Sequence, residues 1–308
     1  MENSAFIFPG QGSQALGMLA ELATEHDIVA HTFSEASEVL GYDLWELVQQ
    51  GPVETLNETD KTQPALLTAS VAIWRVFEAS GKPLPSVLAG HSLGEYSALV
   101  CAGVIDFSEA VKLVQLRGQL MQQAVPAGSG AMFAIIGLDN DAIAKACEAA
   151  SQGDVVSPVN YNSPGQVVIA GTKAAVERAA VLCKEAGAKM AVALPVSVPS
   201  HCELMRPAAE KLAIALAAIE FKTPNISVIN NVDVASPTAS EEIKSALVRQ
   251  LYCPVLWSDT VTAMAKMGVT NLFEIGPGKV LTGLAKRIDR SLTAKAVNDV
   301  ASLATLTE

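Results

Sequence analysis

The sequence predicts an α/β protein: a parallel-sheet core with a small βαββαβ unit inserted into it. Three observations predict it. A short apolar run, Val87-Leu88-Ala89, enters Gly90-His91-Ser92-Leu93-Gly94 and is followed by an amphipathic segment over 96–102, a strand, sharp turn and helix. Strand-like and helix-like stretches alternate through the first 125 residues and again after residue 204. Between them the predicted order is β-α-β-β-α-β, the ferredoxin-like split βαβ. The expected division is therefore 1–125 with 205–308 as a large α/β part, and 126–204 as a small part whose insertion makes a cleft.

Taken in order, Ala5-Phe6-Ile7-Phe8 reads as a buried strand. Pro9-Gly10-Gln11-Gly12-Ser13-Gln14 then turns into a helix expected to begin near Leu16. That turn has no Gly-Lys-Ser/Thr for a P-loop and no third glycine for a dinucleotide fingerprint, so its use is to aim backbone N–H groups at a reacting centre. Helical patterns cover 28–40, 44–50 and 63–80, punctuated by Gly-Pro, Gly-Lys-Pro and Pro-Ser. The Ser92 turn and a helix over 108–124 follow. In the small part, strands are expected over 131–136, 155–160, 166–170 and 190–194, with helices over 139–150 and 173–186. The two middle strands are joined by Asn162-Ser163-Pro164-Gly165. Helices over 205–217, 241–251 and 261–267 alternate with strands over 226–229 and 272–275. Gly276-Pro277-Gly278 leads into a last helix over 280–288. No internal repeat or low-complexity tract is visible.

Composition excludes several classes. Half of the 308 residues are apolar, enough for a sizeable core. No apolar run reaches the ~18 residues of a membrane span, and Met1-Glu2-Asn3-Ser4 lacks the basic start of a signal peptide, so a cytoplasmic protein is expected. Five scattered cysteines without a C-x-x-C pair argue for a reducing compartment and against a metal site. The net charge of −11 disfavours nucleic-acid binding.

Ser92 is the candidate nucleophile. The turn holds it in a strained conformation, Gly90 and Gly94 remove side chains that would collide across it, and the Leu93 N–H lies at a helix start where it can hold an oxyanion. A serine needs a base. Of four histidines, His26 and His31 lie in a polar helix-like stretch, and His91 adjoins Ser92 and supports the turn. Elimination leaves His201, where the chain returns from the small part to the cleft. No acid between serine and histidine suits the third position: Asp106, Asp139 and Glu177 read as caps or solvated faces, so a carbonyl is expected to orient His201. Arg117 has Leu113, Val114, Leu120 and Met121 at helical spacing, which puts a guanidinium in an apolar stripe. It demands an anion, either a protein carboxylate or the carboxylate of a substrate.

With these residues in place, the sequence resembles the malonyl-CoA:acyl carrier protein transacylases of bacterial fatty-acid synthesis. The resemblance runs through Phe8-Pro9-Gly10-Gln11-Gly12-Ser13-Gln14, Thr62-Gln63-Pro64-Ala65, Gly90-His91-Ser92-Leu93-Gly94-Glu95 and Arg117-Gly118. It continues through Asn162-Ser163-Pro164-Gly165-Gln166, Pro199-Ser200-His201, Gln250-Leu251 and Glu274-Ile275-Gly276-Pro277-Gly278. It implies an α/β-hydrolase-like core with the ferredoxin-like subdomain. It also implies Ser92 as acylated nucleophile, His201 as base, Arg117 on the malonyl carboxylate and the Gln11 and Leu93 N–H groups as oxyanion hole. Gln250 would orient His201 through its main-chain carbonyl. The implied activity is ping-pong malonyl transfer from the coenzyme A thioester to the carrier's phosphopantetheine thiol, by a monomer with no bound cofactor or metal. Leu93 matches malonyl-selective relatives, whereas Ser200 departs from the Phe that multidomain malonyl-selective relatives carry before the histidine. An acidic carrier would dock on local basic residues, for which Lys279, Lys286, Arg287 and Arg290 are candidates. A serine hydrolase with the same turn would have no use for Arg117, and a non-catalytic carrier-binding protein would have no use for the intact Ser92, His201 and Arg117.

Overall fold

The computed structural model describes residues 1, 3–196 and 198–307. Its strands are β1 (Ser4–Phe8), β2 (Val87–Gly90), β3 (Gly130–Ile136), β4 (Val156–Ser163), β5 (Gln166–Thr172), β6 (Met190–Ala193), β7 (Ser227–Ile229), β8 (Asn271–Ile275) and β9 (Thr293–Val297). They form two sheets. One is five-stranded, in the order β7-β2-β1-β8-β9, with every pair parallel. The other is four-stranded and antiparallel, in the order β4-β5-β3-β6. Within 130–193 the element order is the β-α-β-β-α-β of the sequence pattern.

The continuous apolar run of β1 has a direct cause. It is the central strand of a parallel sheet covered on both faces, and all five of its residues are buried. Successive side chains point to opposite faces, so Phe6 and Phe8 enter one core and Ala5 and Ile7 the other. Phe6 packs edge-on against Trp74, Phe77 and Phe273, with ring centroids 4.9–6.0 Å apart. The opposite core includes Trp257, Val261 and Met264 of the helix Trp257–Lys266 and Leu281, Leu284 and Ala285 of the helix Val280–Ile288.

The small sheet is joined to the large one by more than its two connections. The Tyr161 N–H donates to the Val255 carbonyl at 3.0 Å, and the Val255 N–H donates to the Val159 carbonyl at 2.8 Å. This stretch of β4 thus pairs with backbone of the large part, which fixes one wall of the cleft between them.

Several expected elements move. The helix anticipated near Leu16 begins at Ala20, because Gly17 and Leu19 have φ of 76° and 62° and interrupt any earlier helix. A short helix, Val53–Leu56, was not anticipated. The helix Thr59–Ala79 starts four residues before its expected position, with Pro64 inside its second turn. β4 continues to Ser163, so the β4–β5 turn is only Pro164-Gly165, with Gly165 at φ 71°. The chain does not end its regular structure at Ile288: β9 and the helix Val300–Thr307 follow.

Candidate active site

The site lies at the carboxyl ends of the parallel strands, where the loops after β1, β2 and β7 converge. β2 ends at Gly90, and the chain turns into the helix Gly94–Cys101 within three residues. Ser92 sits at the apex with φ 52°, the strained conformation the sequence predicts for a nucleophile turn. The glycines are required by close approach. A Cβ on Gly90 would overlap the Gly94 backbone, and one on Gly94 would overlap the Phe8 carbonyl. Asn231, just past β7, staples the turn: its Oδ1 accepts from the Ser92 N–H at 2.7 Å, and its Nδ2 donates to the Gly90 carbonyl at 2.6 Å.

Ser92 Oγ lies 2.8 Å from His201 Nε2. His201 Nδ1 lies 2.6 Å from the Gln250 main-chain carbonyl. A carbonyl only accepts, so Nδ1 carries the proton and Nε2 is left to accept from the serine hydroxyl. His201 itself has φ 66°, held there by its N–H donating to the Leu251 carbonyl at 2.9 Å. Burial first, and the Arg117 charge second, push the imidazole pKa down to about 3, against the pull of the Gln250 carbonyl. The ring is therefore neutral at physiological pH, with Nε2 unprotonated and able to accept. Asp106 and Asp139 cap the helices Phe107–Gln123 and Asn140–Ser151. The adjacent Cys202 is no rival nucleophile: it is buried, its thiol donates to the Pro199 carbonyl, and its pKa is raised by burial to about 11.

Arg117 is 1% exposed. Its Nη1 donates to Gln63 Oε1 at 2.9 Å, and its Nη2 donates to Gln250 Oε1 at 2.9 Å and to Ser92 Oγ at 3.3 Å. Its guanidinium also lies over the Tyr96 ring, 5.3 Å from the centroid. None of the ion pairs among the described residues includes it. Of the two anions the sequence left open for Arg117, a direct protein carboxylate partner is absent among these residues.

Gln11 and Leu93 line the same cavity of about 110 Å³ as Ser92, His201 and Arg117. Among the described residues neither of their N–H groups has a protein acceptor. Met132 and Asn160 of the small sheet, with Leu194 and Val196 just beyond it, close the other wall. His91 lies beside the nucleophile with its Nε2 2.8 Å from Asn162 Oδ1 and its ring against Trp257, so it ties the turn to β4. His26 and His31 lie outside the cavity.

The sequence did not single out Asn231, Glu95, Gln63 or the side chain of Gln250. Glu95 and Gln63 each carried a local signal; Asn231 and the Gln250 side chain carried none. Glu95 is the one charge in the helix Gly94–Cys101 and is 2% exposed. Gln63 is a polar residue on a largely buried helix. The Gln250 side chain joins the others. Its Nε2 donates to Glu95 Oε2 at 2.8 Å and to the Ser92 carbonyl at 3.0 Å, while its Oε1 holds Arg117. No group of acids, histidines and cysteines among the described residues is placed to hold a metal ion, and none of their helices is long and apolar enough to cross a membrane.

Parallel sheet, strained serine and serine–histidine pair form an arrangement able to activate a serine hydroxyl, and comparison sets the class of enzyme. The acyl transferase domain family matches residues 5–307, and the enzyme is an acyltransferase. The malonyl CoA-acyl carrier protein transacylase of Haemophilus influenzae is 67% identical over 98% of this chain and 97% of its own length. A Vibrio cholerae acyl carrier protein S-malonyltransferase superposes with a TM-score of 0.97 at 69% identity, covering 99% of each chain. A malonyl-transacylase solved in complex with a type II PKS acyl-carrier protein (PlMCAT:AntF) superposes with a TM-score of 0.98 at 64% identity, again over 99% of each chain. This chain belongs to the malonyl CoA-acyl carrier protein transacylase family.

Proposed function

We propose that this enzyme moves a malonyl group from malonyl-CoA to the phosphopantetheine thiol of an acyl carrier protein, in two half-reactions through malonyl-Ser92, and so supplies extender units for fatty-acid synthesis. In the first, the Ser92 hydroxyl gives its proton to His201 Nε2 as Oγ attacks the thioester carbonyl. The Gln11 and Leu93 N–H groups receive the oxyanion. The C–S bond breaks, and coenzyme A leaves as a thiol with the proton from His201. In the second, the carrier thiol gives its proton to His201 and attacks the acyl-serine, and the proton returns to Ser92 Oγ. The parts 1–125 with 205–308 and 126–204 act as the two walls of the cleft, which limits water and so protects the acyl-serine from hydrolysis. The solved complex of a 64% identical transacylase with an acyl-carrier protein supports the carrier as acceptor.

The observation that carries the malonyl reading is Arg117: a buried guanidinium 3.3 Å from the nucleophile, with amides and a hydroxyl for partners and no carboxylate. A malonyl carboxylate accepts two parallel N–H bonds from it, and an acetyl group cannot. Leaving one partner of a desolvated charge pair alone costs about 2–5 kcal/mol, roughly 30- to several-thousand-fold. Arg117→Ala is expected to lose malonyl transfer by such a factor while keeping acetyl transfer onto Ser92, and Arg117→Lys to recover only part of the loss. The measurement is kcat/KM for malonyl-CoA and acetyl-CoA with each variant. An equal loss for both substrates removes Arg117 from the carboxylate site.

A further inference from the structure

Arg117 presents a charge problem that its direct contacts do not solve. A guanidinium 1% exposed needs a compensating anion, yet among the described residues its hydrogen bonds go to Gln63, Gln250 and Ser92, with the Tyr96 ring beside it, and none of these is a carboxylate. One carboxylate is buried in the same network. Glu95, 2% exposed, accepts from the Asn231 N–H at 3.0 Å and from Gln250 Nε2 at 2.8 Å through the same oxygen, Oε2. The amide of Gln250 stands between the two charges with a fixed sense: its Nε2 donates toward the carboxylate, and its Oε1 accepts from the guanidinium. A carboxylate that only accepts and a guanidinium that only donates leave that amide one orientation. Its dipole then joins Glu95 and Arg117 as an indirect ion pair.

We infer that Glu95 is the counter-charge of Arg117, acting through the Gln250 side chain, and that it sets how strongly Arg117 takes an acyl carboxylate. Glu95 touches no reacting atom; it is a positioning residue. Without substrate it stabilises the buried cation. With malonyl bound, two anions share one cation, so the carboxylate of Glu95 moderates the hold on the substrate and lets the acyl group leave for the carrier. Burial raises the Glu95 pKa, and the opposing pull of Gln250, Asn231 and Arg117 holds it at about 7, so the carboxylate form, and with it the counter-charge, prevails above that pH. The second half of the inference rests on the malonyl reading; the first half does not.

The test is a double-mutant cycle with two readouts. Glu95→Gln preserves shape and removes the charge. In the substrate-free protein it is expected to lower Tm in the wild-type background, because Arg117 loses its counter-charge. In the Arg117→Ala background it is expected to raise Tm, because the buried carboxylate there has no cation. A residue with a merely structural role would lower Tm in both, and that result overturns the inference. If Glu95→Gln alone fails to fold, the double variant is expected to fold, and a double variant equally unfolded overturns it. In kinetics, Glu95→Gln is expected to raise the malonyl-CoA to acetyl-CoA ratio of acylation kcat/KM by roughly threefold or more, since a repelling anion is gone. An unchanged or lowered ratio overturns the specificity role. Should wild-type protein not take malonyl from malonyl-CoA at all, the proposed function fails while the Tm cycle still decides the charge pairing.

Discussion

His201 is kept neutral by burial and by the Arg117 charge, against the Gln250 carbonyl, which pulls the other way while fixing the ring proton on Nδ1. An NMR titration of its ring is expected to show no protonation between pH 5 and 8, and a midpoint near 6.5 would contradict the arrangement. The unfolded chain takes up that proton near 6.5 and the native imidazole only at about 3, so His201 withdraws stability as pH falls through that interval. His201→Ala is expected to slow both half-reactions by ~10²–10⁴ in rapid-quench kinetics; acylation near the wild-type rate would assign the base elsewhere. Ser92 was legible because a nucleophile turn is a local pattern, readable from the strand before it and the glycines beside it. Arg117 was legible because four apolar neighbours marked it as buried. Asn231 and the side chain of Gln250 were not, since their partners Ser92 and Glu95 lie 139 and 155 residues away and nothing local announces the meeting.

At the scale of elements, the position of Arg117 depends on how closely the helices Thr59–Ala79 and Phe107–Gln123 approach. Gly118 sets that distance. A Cβ there would lie 2.6 Å from Asp60 Cα and 2.8 Å from the Thr59 carbonyl oxygen, both backbone atoms that cannot swing aside. Alanine is the better helix former by about 1 kcal/mol, but overpacking costs about 1–3 kcal/mol, so the clash decides. Gly118→Ala is expected to lower Tm and to weaken malonyl over acetyl preference by moving Arg117 away from Gln63. A rise in Tm with unchanged selectivity would show that the helices separate freely. The same helices were readable in outline because their apolar periodicity is long. The end of the chain was not. Thr293–Val297 pairs only with β8 at the sheet edge and alternates exposed Thr293 and Lys295 with small apolar residues, a weak strand signal.

For the molecule as a whole, a chain of net charge −11 needs a local basic surface to meet an acidic carrier. Lys279, Lys286, Arg287 and Arg290 are all exposed on or beside the helix Val280–Ile288. Arg287 Nη1 also donates to Gln166 Oε1 at 2.7 Å, which holds that helix against the small sheet. Reversing charge at Lys286 and Arg287 is expected to raise the carrier's KM and leave that of malonyl-CoA unchanged; an unchanged carrier KM would place docking elsewhere. The βαββαβ order was legible because each of its elements is local, whereas the pairing of β4 with Val255 that ties the two sheets together is not. Intact-mass analysis with peptide mapping reads whether Ser92 carries the malonyl group between the two thiols. After incubation with malonyl-CoA, one malonyl adduct per chain is expected, mapped to Ser92 and lost to the carrier thiol when carrier is added. An adduct on another residue, labelling that survives in Ser92→Ala, or release of free malonate faster than transfer to the carrier would contradict it.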